Sequence, residues 1–460
     1  MRLIAPAFVL MAAVVSSTDI LAAQQEKSER AQARRLLLEA SRLIDVIPES
    51  QQSSAVANIA SQLARGGDFE DALRISQSTK NRGDQDLATG LIAWQLVQQG
   101  NVGQALRLLE SIPNDQNREG QYGPLAVLLA EKGDLTGAVR IAQMRKEPQG
   151  RVSILVEIAQ QKARTNDFAE AGKILKQAIE IGNELVEENA SNATILPGIA
   201  ATQSEIGDTP GALLTLAKFS TIAHQYEGNG LLLQLLGCAQ AQVGDVVGAL
   251  QIHEEMVPGS NSDIVLMAIA EEQAKQGLMA DALQTAERIS EMNLRSSTLR
   301  SIAIARGKHG TLQDAIEAID RIPDSASRLE AIGALALEQA VVDNPAAALT
   351  AQRALEFGDE VGSRSVSSGR GMEMIAVTRS VLGDFAGAQE IVRSMPEPES
   401  RVWPLWNLTS LLADAGRQNE AVTLAEHEDS ALPKLYALLG TAQGVLSHIA
   451  SEEQASTARK

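Results

Sequence analysis

Five histidines, one cysteine and 58 acidic residues are the groups with which this 460-residue chain could do acid–base, nucleophilic or metal chemistry. His224, His253, His309, His427 and His448 show no metal-ligand spacing. His253-Glu254 and His427-Glu428 each lack the second histidine four residues on that would put two imidazoles on one helix face. Cys238 is alone, so a cysteine ligand set and an intrachain disulfide are both out of reach. It sits where the surrounding sequence is apolar and reads as a small buried hydrophobe. No phosphate-cradling glycine loop and no nucleophile elbow occurs. Paired carboxylates abound, but on amphipathic helices they read as solvated faces. The expectation is a protein with no catalytic residues, cofactor or metal.

The elements that carry these residues repeat. A Gly-like slot recurs at Gly67, Gly100, Gly133, Asn166, Gly207, Gly244, Gly277, Gly310, Asp343, Gly383 and Gly416. Five residues after each stands alanine: Ala72, Ala105, Ala138, Ala171, Ala212, Ala249, Ala282, Ala315, Ala348, Ala388 and Ala421. Eight residues before each slot stands Ile or Leu, from Ile59 to Leu408. Seven of the ten intervals are 33 residues; the others are 41, 37 and 40. A period of this size marks an array whose units cannot bury their apolar faces alone.

One unit shows the physics. Leu299, Ile302, Ala303 and Arg306 share a stripe of an α-helix. Gly310 ends that helix, as glycine does where the chain turns left-handed. A second stripe starts at Ala315-Ile316, runs through Ile319 and stops at Ile322-Pro323. The alanine is fixed for a steric reason, because a larger side chain would hold two crossing helices apart. Connectors carry an Arg six residues after an Ile or Met, as in Ile112 to Arg118, Ile322 to Arg328 and Met395 to Arg401. An Arg near a helix start opposes the dipole, so pairing with Asp115, Asp324 or Glu399 is expected. Residues 24–52, around Ala40 and Ile47-Pro48, read as a second helix without its first. Leu435 to Ile449 reads as a first helix without its second, followed by a polar, disordered tail from Ser451. These half-units are expected to cap the exposed ends of the array.

The charge of −18 sets the chain against phosphate backbones and anionic lipid, so no nucleic-acid partner is expected. Residues 1–23 hold Arg2, an apolar run from Leu3 to Val15, and Leu21-Ala22-Ala23. That reads as a secretory signal cleaved after Ala23, with an uncleaved anchor as the alternative. Thirteen apolar residues fall short of the roughly 20 that span a bilayer. The reading is an exported protein, periplasmic or secreted, with no transmembrane span in its mature chain.

The order hydrophobic, small, Gly, Ala, with a late Pro, resembles the tetratricopeptide repeat. Leu125-Ala126, Gly133 and Ala138 carry the likeness in one unit, and Ile269-Ala270, Gly277 and Ala282 in another. It covers residues 53–432 as eleven units, with residues 433–460 forming the terminal cap and tail. The departures are a period of 33 instead of the family's 34, and aliphatic residues such as Val56, Leu155 and Leu266 at an early large-residue slot. HEAT-like repeats are the runner-up. The resemblance implies an all-α, right-handed superhelical solenoid, elongated or open. It also implies a concave groove lined by first helices, at positions 13, 10, 6 and 2 before each slot. Those positions include all three tryptophans, Trp94, Trp403 and Trp406, and a basic group of Lys275, Arg300 and Lys308. These six are the candidate partner-binding residues: aromatic anchors plus a landing place for an acidic segment. The competing reading packs Trp403 and Trp406 under the final helix. The long intervals place extra residues at about 179–193, 219–230 and 357–371, a candidate contact edge. The expected function is a scaffold for a protein or peptide partner; the alternative is a structural or envelope-assembly component with an empty groove.

Overall fold

The computed structural model describes residues 5–79, 81–225, 230–308, 312–360 and 369–458, and every regular element among them is helical. The architecture is an all-α array of helical hairpins. Two compact units form: Met1–Leu96 with Glu373–Lys460, and Val97–Met372.

The corner between first and second helix recurs with little variation. All ten described slots have positive φ: between 75° and 91° at the eight glycines, 61° at Asn166 and 55° at Asp343. Gly310 lies outside the described residues. The Ile or Leu eight residues upstream is buried in every unit. Ten of the eleven alanines have no exposed surface. Ala348 is the exception: it is exposed, and Ala347 occupies the buried position. A five-residue spacing therefore misplaces the crossing in that unit, where Pro345-Ala346-Ala347-Ala348 makes the sequence ambiguous and the corner is one residue shorter.

Two polar devices complete the corner. An aspartate after the glycine caps the second helix, with Asp134, Asp208, Asp245 and Asp384 accepting from the backbone N–H of Gly137, Gly211, Gly248 and Gly387 at 2.8–3.0 Å. Those second glycines leave room for the cap: a Cβ at Gly137 would collide with the Asp134 carboxylate. A buried glutamine on the first helix then accepts from a threonine on the second, as in Gln203–Thr215 at 2.7 Å, Gln273–Thr285 at 2.8 Å and Gln339–Thr350 at 2.6 Å. Each threonine lies three residues beyond the buried alanine, so Gln339–Thr350 independently assigns the crossing to Ala347.

The connector arginines fold back onto the chain they follow. Arg118 donates to the Ile112 carbonyl at 2.9 Å and pairs with Asp115; Arg328 donates to the Ile322 carbonyl. Asp324 caps the next helix through the N–H groups of Ala326 and Ser327, and Arg401 pairs with Glu428 at 3.3 Å. The expected partners hold for Arg118 and not for Arg401: Glu428 of the following connector stands where Glu399 was expected.

The terminal pieces differ from the expectation of two separate caps. Helix Ala5–Ser41 runs through the expected cleavage point, and helix Ala431–Ala458 continues into the segment expected to be a disordered tail. Both belong to the same compact unit and pack against each other. Arg30 pairs with Glu453 at 2.8 Å, and Arg65 of helix Glu49–Arg65 donates to Ser447 at 2.9 Å. A second helix lacking its first and a first helix lacking its second present complementary apolar stripes, and each covers the other. Among the described residues, no helix is long and apolar enough to cross a membrane.

At Gly133, where φ is +86°, a Cβ would meet no atom within 4 Å, so only the backbone conformation resists substitution. Gly133→Ala should destabilise by about 1–2 kcal/mol. Gly133→Asn should cost distinctly less, since Asn166 already adopts this conformation. Chemical denaturation of the two variants reads the difference, and equal losses would assign the glycine's role to packing.

Candidate partner-binding recess

The lengthened repeat at residues 168–205 builds a recess beside the first-helix flank. Its second helix, Phe168–Glu188, is 21 residues long, against ten for the corresponding Leu135–Met144 one repeat earlier. A 3-10 turn, Ala190–Ile195, then leads into the next first helix, Leu196–Glu205. Asn189 starts that turn by accepting from the Ser191 N–H at 3.0 Å. Asn192 donates to the Leu185 carbonyl at 2.9 Å and accepts from Gln149 at 2.7 Å, tying the turn to helix Pro148–Arg164. The extra residues are thereby held as one wall of a cavity of about 670 Å³.

Val152, Val156, Ile195 and Gly198 give this cavity an apolar floor, and Gln149, Ser153, Glu157, Gln160, Asn192 and Thr194 a polar rim. Ser153, Val156, Gln160 and Thr194 occupy positions that the repeat resemblance assigns to the ligand-facing flank. Glu157 does not, and it is the rim's charged group. Its side chain reaches solvent, but its carboxylate lies over the neighbouring first helix, where a Cβ on Gly123 would stand 3.3 Å from Oε2. Among the described residues, no hydrogen bond or ion pair reaches that carboxylate. Desolvation raises its pKa above the ordinary range, against the weaker opposing field of Arg145. Arg145 is itself 3.8 Å from Glu119. One cation between two carboxylates leaves the neighbourhood net negative.

The residues singled out from sequence lie elsewhere. Trp94, Trp403 and Trp406 are half-buried and belong to the unit that holds the chain ends. Trp406 donates from Nε1 to Gln443 at 2.8 Å and packs on Tyr436 with ring centroids 5.6 Å apart. Both partners are on the last helix, so this ring is committed to packing there. The basic residues belong to the other unit, and their charges are met internally. Arg300 pairs with Glu330, which Arg370 also approaches at 3.9 Å; Lys308 pairs with Glu338 at 2.9 Å; Lys275 sits 3.5 Å from Glu272. Carboxylates of the next repeat meet Arg300 and Lys308, whereas Lys275 lies beside Glu272 of its own helix and stays largely exposed.

Burial pushes the Cys238 thiol up to about 11, so it stays protonated near neutral pH. His253 lies 3.1 Å from the Ser262 carbonyl and His448 lies 2.8 Å from that of Asp414, both structural contacts. No group of three His, Cys, Asp or Glu able to hold a metal ion occurs among the described residues.

No protein-family model matches this chain, and no curated protein sequence does. Similar solved structures include Ton1535 from Thermococcus onnurineus NA1, 16% identical, covering 83% of this chain and 97% of that one with a TM-score of 0.26. A human IFIT1 dimer with m7Gppp-AAAA is 16% identical over 90% of this chain and 96% of its own, with a TM-score of 0.25. A circular tandem repeat protein with novel repeat topology is 14% identical over 93% and 100%, with a TM-score of 0.18. Scores this low carry no argument about what this chain binds.

Partial desolvation of the Glu157 carboxylate, on a side chain that is otherwise exposed and therefore screened by solvent, makes a small unfavourable contribution once the group is ionised. Because the folded state holds the Glu157 proton more tightly than the unfolded chain, ionisation opposes folding. That cost is absent below the unfolded-state pKa of about 4.3 and fully present above the raised folded value. Glu157→Gln should therefore raise Tm at neutral pH and lose the advantage as the pH falls to about 4. Thermal scans across that range check the sign of this small effect; a variant less stable than the parent at neutral pH would reveal contacts that compensate the partly desolvated charge.

Proposed function

We propose that this chain is an exported, tetratricopeptide-like scaffold that holds an extended segment of another protein in the recess between helices Pro148–Arg164 and Leu196–Glu205. The observation that carries the reading is the make-up of the recess. Four positions that the repeat resemblance turns toward a ligand converge there with the wall built by the longest repeat interval. Its rim suits a peptide backbone, because Gln160 offers both a donor and an acceptor, while Gln149 keeps its carbonyl oxygen and Asn192 its second N–H beside the contacts that hold the turn. An extended segment exposes unpaired N–H and C=O groups that amide side chains can meet in either register. The apolar floor beside the rim accommodates its alternate side chains. Export rests on the apolar run and Leu21-Ala22-Ala23 of the first 23 residues. The structural or envelope-assembly role is the competing reading, and it needs no occupant in this recess.

A photo-crosslinking residue at Gln160, compared with one at exposed Lys173 on the second helix, separates the two. The scaffold reading predicts that one partner is captured in the native host from position 160 and not from 173, with the cross-link mapping to a segment lacking regular structure. Capture only from 173, or from neither, would contradict it.

A further inference from the structure

The turn that follows the long second helix carries chemistry that the recess does not use. Asn189-Ala190-Ser191 and Asn192-Ala193-Thr194 both read Asn-x-Ser/Thr, the acceptor pattern for an N-linked oligosaccharide, and Asn407-Leu408-Thr409 is the third such tripeptide in the sequence. The fold treats the three differently. Asn189 is exposed at the break between two helical segments, with an extended backbone at φ −152° and ψ 115°, and Ser191 is exposed beside it. The Asn189 side-chain oxygen accepts from the Ser191 N–H at 3.0 Å, closing an Asx turn. An N–H can meet only the oxygen of a carboxamide, so this bond sets the side chain's orientation and leaves Nδ2 as its free end. Among the described residues, no hydrogen bond uses that Nδ2 or the Ser191 hydroxyl. Asn192 is half-buried, with Nδ2 donating to the Leu185 carbonyl and Oδ1 accepting from Gln149. A sugar on that nitrogen would have to part the turn from the helix it is tied to. Asn407 lies inside helix Pro398–Asp414, where its Nδ2 donates to the Trp403 carbonyl at 2.9 Å. Thr409 has no exposed surface, and its hydroxyl donates to the Leu405 carbonyl at 2.7 Å. Asn189 is also the one of the three with a carboxylate two residues before it, Glu187, against Ala190 and Leu405. A transferase that reads an acidic residue at that position would choose the same asparagine.

We infer that Asn189 is an N-glycosylation site of the exported chain. This rests on the export part of the proposed function, because the sugar donor, an oligosaccharide on a polyprenyl pyrophosphate, meets chains that have left the cytosol. The transfer forms a bond from Asn189 Nδ2 to the anomeric carbon of the donor and breaks that carbon's bond to the pyrophosphate oxygen. The polyprenyl pyrophosphate leaves with the bonding pair, and one Nδ2 proton passes to a base of the transferase. Ser191 supplies the hydroxyl that the acceptor pattern requires. Modification after folding reaches Asn189 and neither of the others. Modification before folding is compatible with the finished structure there, because the bulky, hydrated sugar stands on an exposed turn. Asn189 does not line the recess, so the acceptor and the peptide-binding residues are separate side chains.

The test is mass spectrometry of the full chain purified from its native host, with glycopeptide sequencing to place the sugar. The expected result is one oligosaccharide on the peptide that holds Asn189, with Asn192 and Asn407 bare. Asn189→Gln and Ser191→Ala should each remove the added mass, while Ser191→Thr should keep it. Sugar on Asn192 or Asn407 would overturn the selection made by the fold. An exported chain with all three asparagines bare would overturn the site and leave the export reading standing. A bare chain that still begins at Met1 in the cytosolic fraction would overturn both. The placement of the sugar is read on the parent chain, so it does not depend on any variant folding.

Discussion

The left-handed corner between paired helices is the constraint on which everything else depends. A residue at positive φ turns the chain, and an alanine with no exposed surface lets the two helices cross at close range. With those two conditions met, the first helix of each unit presents the same flank every time. The aspartate cap and the buried Gln–Thr bond satisfy polar groups that close crossing would otherwise strand. Surface chemistry can then vary freely on a backbone that does not. Because the corner is fixed, an insertion has one place to go, after the alanine and before the next first helix. The recess arises there: the longest interval extends a second helix to Glu188 and returns through a 3-10 turn, adding a wall beside a flank the repeat already exposes.

The chain ends follow the same logic of paired stripes. A half-unit exposes an apolar face that water cannot satisfy, so a lone cap would need a polar outer side. Here the two halves are of opposite kind, and each buries the face that the other exposes. Trp406 is drawn into this arrangement through Gln443 and Tyr436. A large aromatic at a ligand-facing position thus serves the last helix-to-helix contact.

Much of this was legible in the sequence, for physical reasons that also explain what was not. Positive φ has few residue solutions, so Gly, Asn and Asp at fixed spacing announce the corner, and zero clearance announces the alanine. The Ala347 crossing escaped because four residues containing three alanines satisfy the pattern in two registers. The aspartate caps were present as Gly-Asp-x-x-Gly-Ala in four units; the second glycine, which makes room for the cap, was the unused signal. Arg300–Glu330 and Lys308–Glu338 share a spacing of 30 residues, so their pairing was also written in the period. Glu157 could not be found this way. Its environment is set by Gly123 one repeat earlier and by a turn one repeat later, and neither placement follows from local spacing.

Amide hydrogen exchange of the full chain, free and bound to its captured partner segment, tests the central claim most directly. Protection should appear on residues 149–160 and 190–198 together, because the long repeat and the first-helix flank form one site. Protection confined to the second helices, with these two stretches unchanged, would show that the partner docks on another face and that the recess is not the binding site.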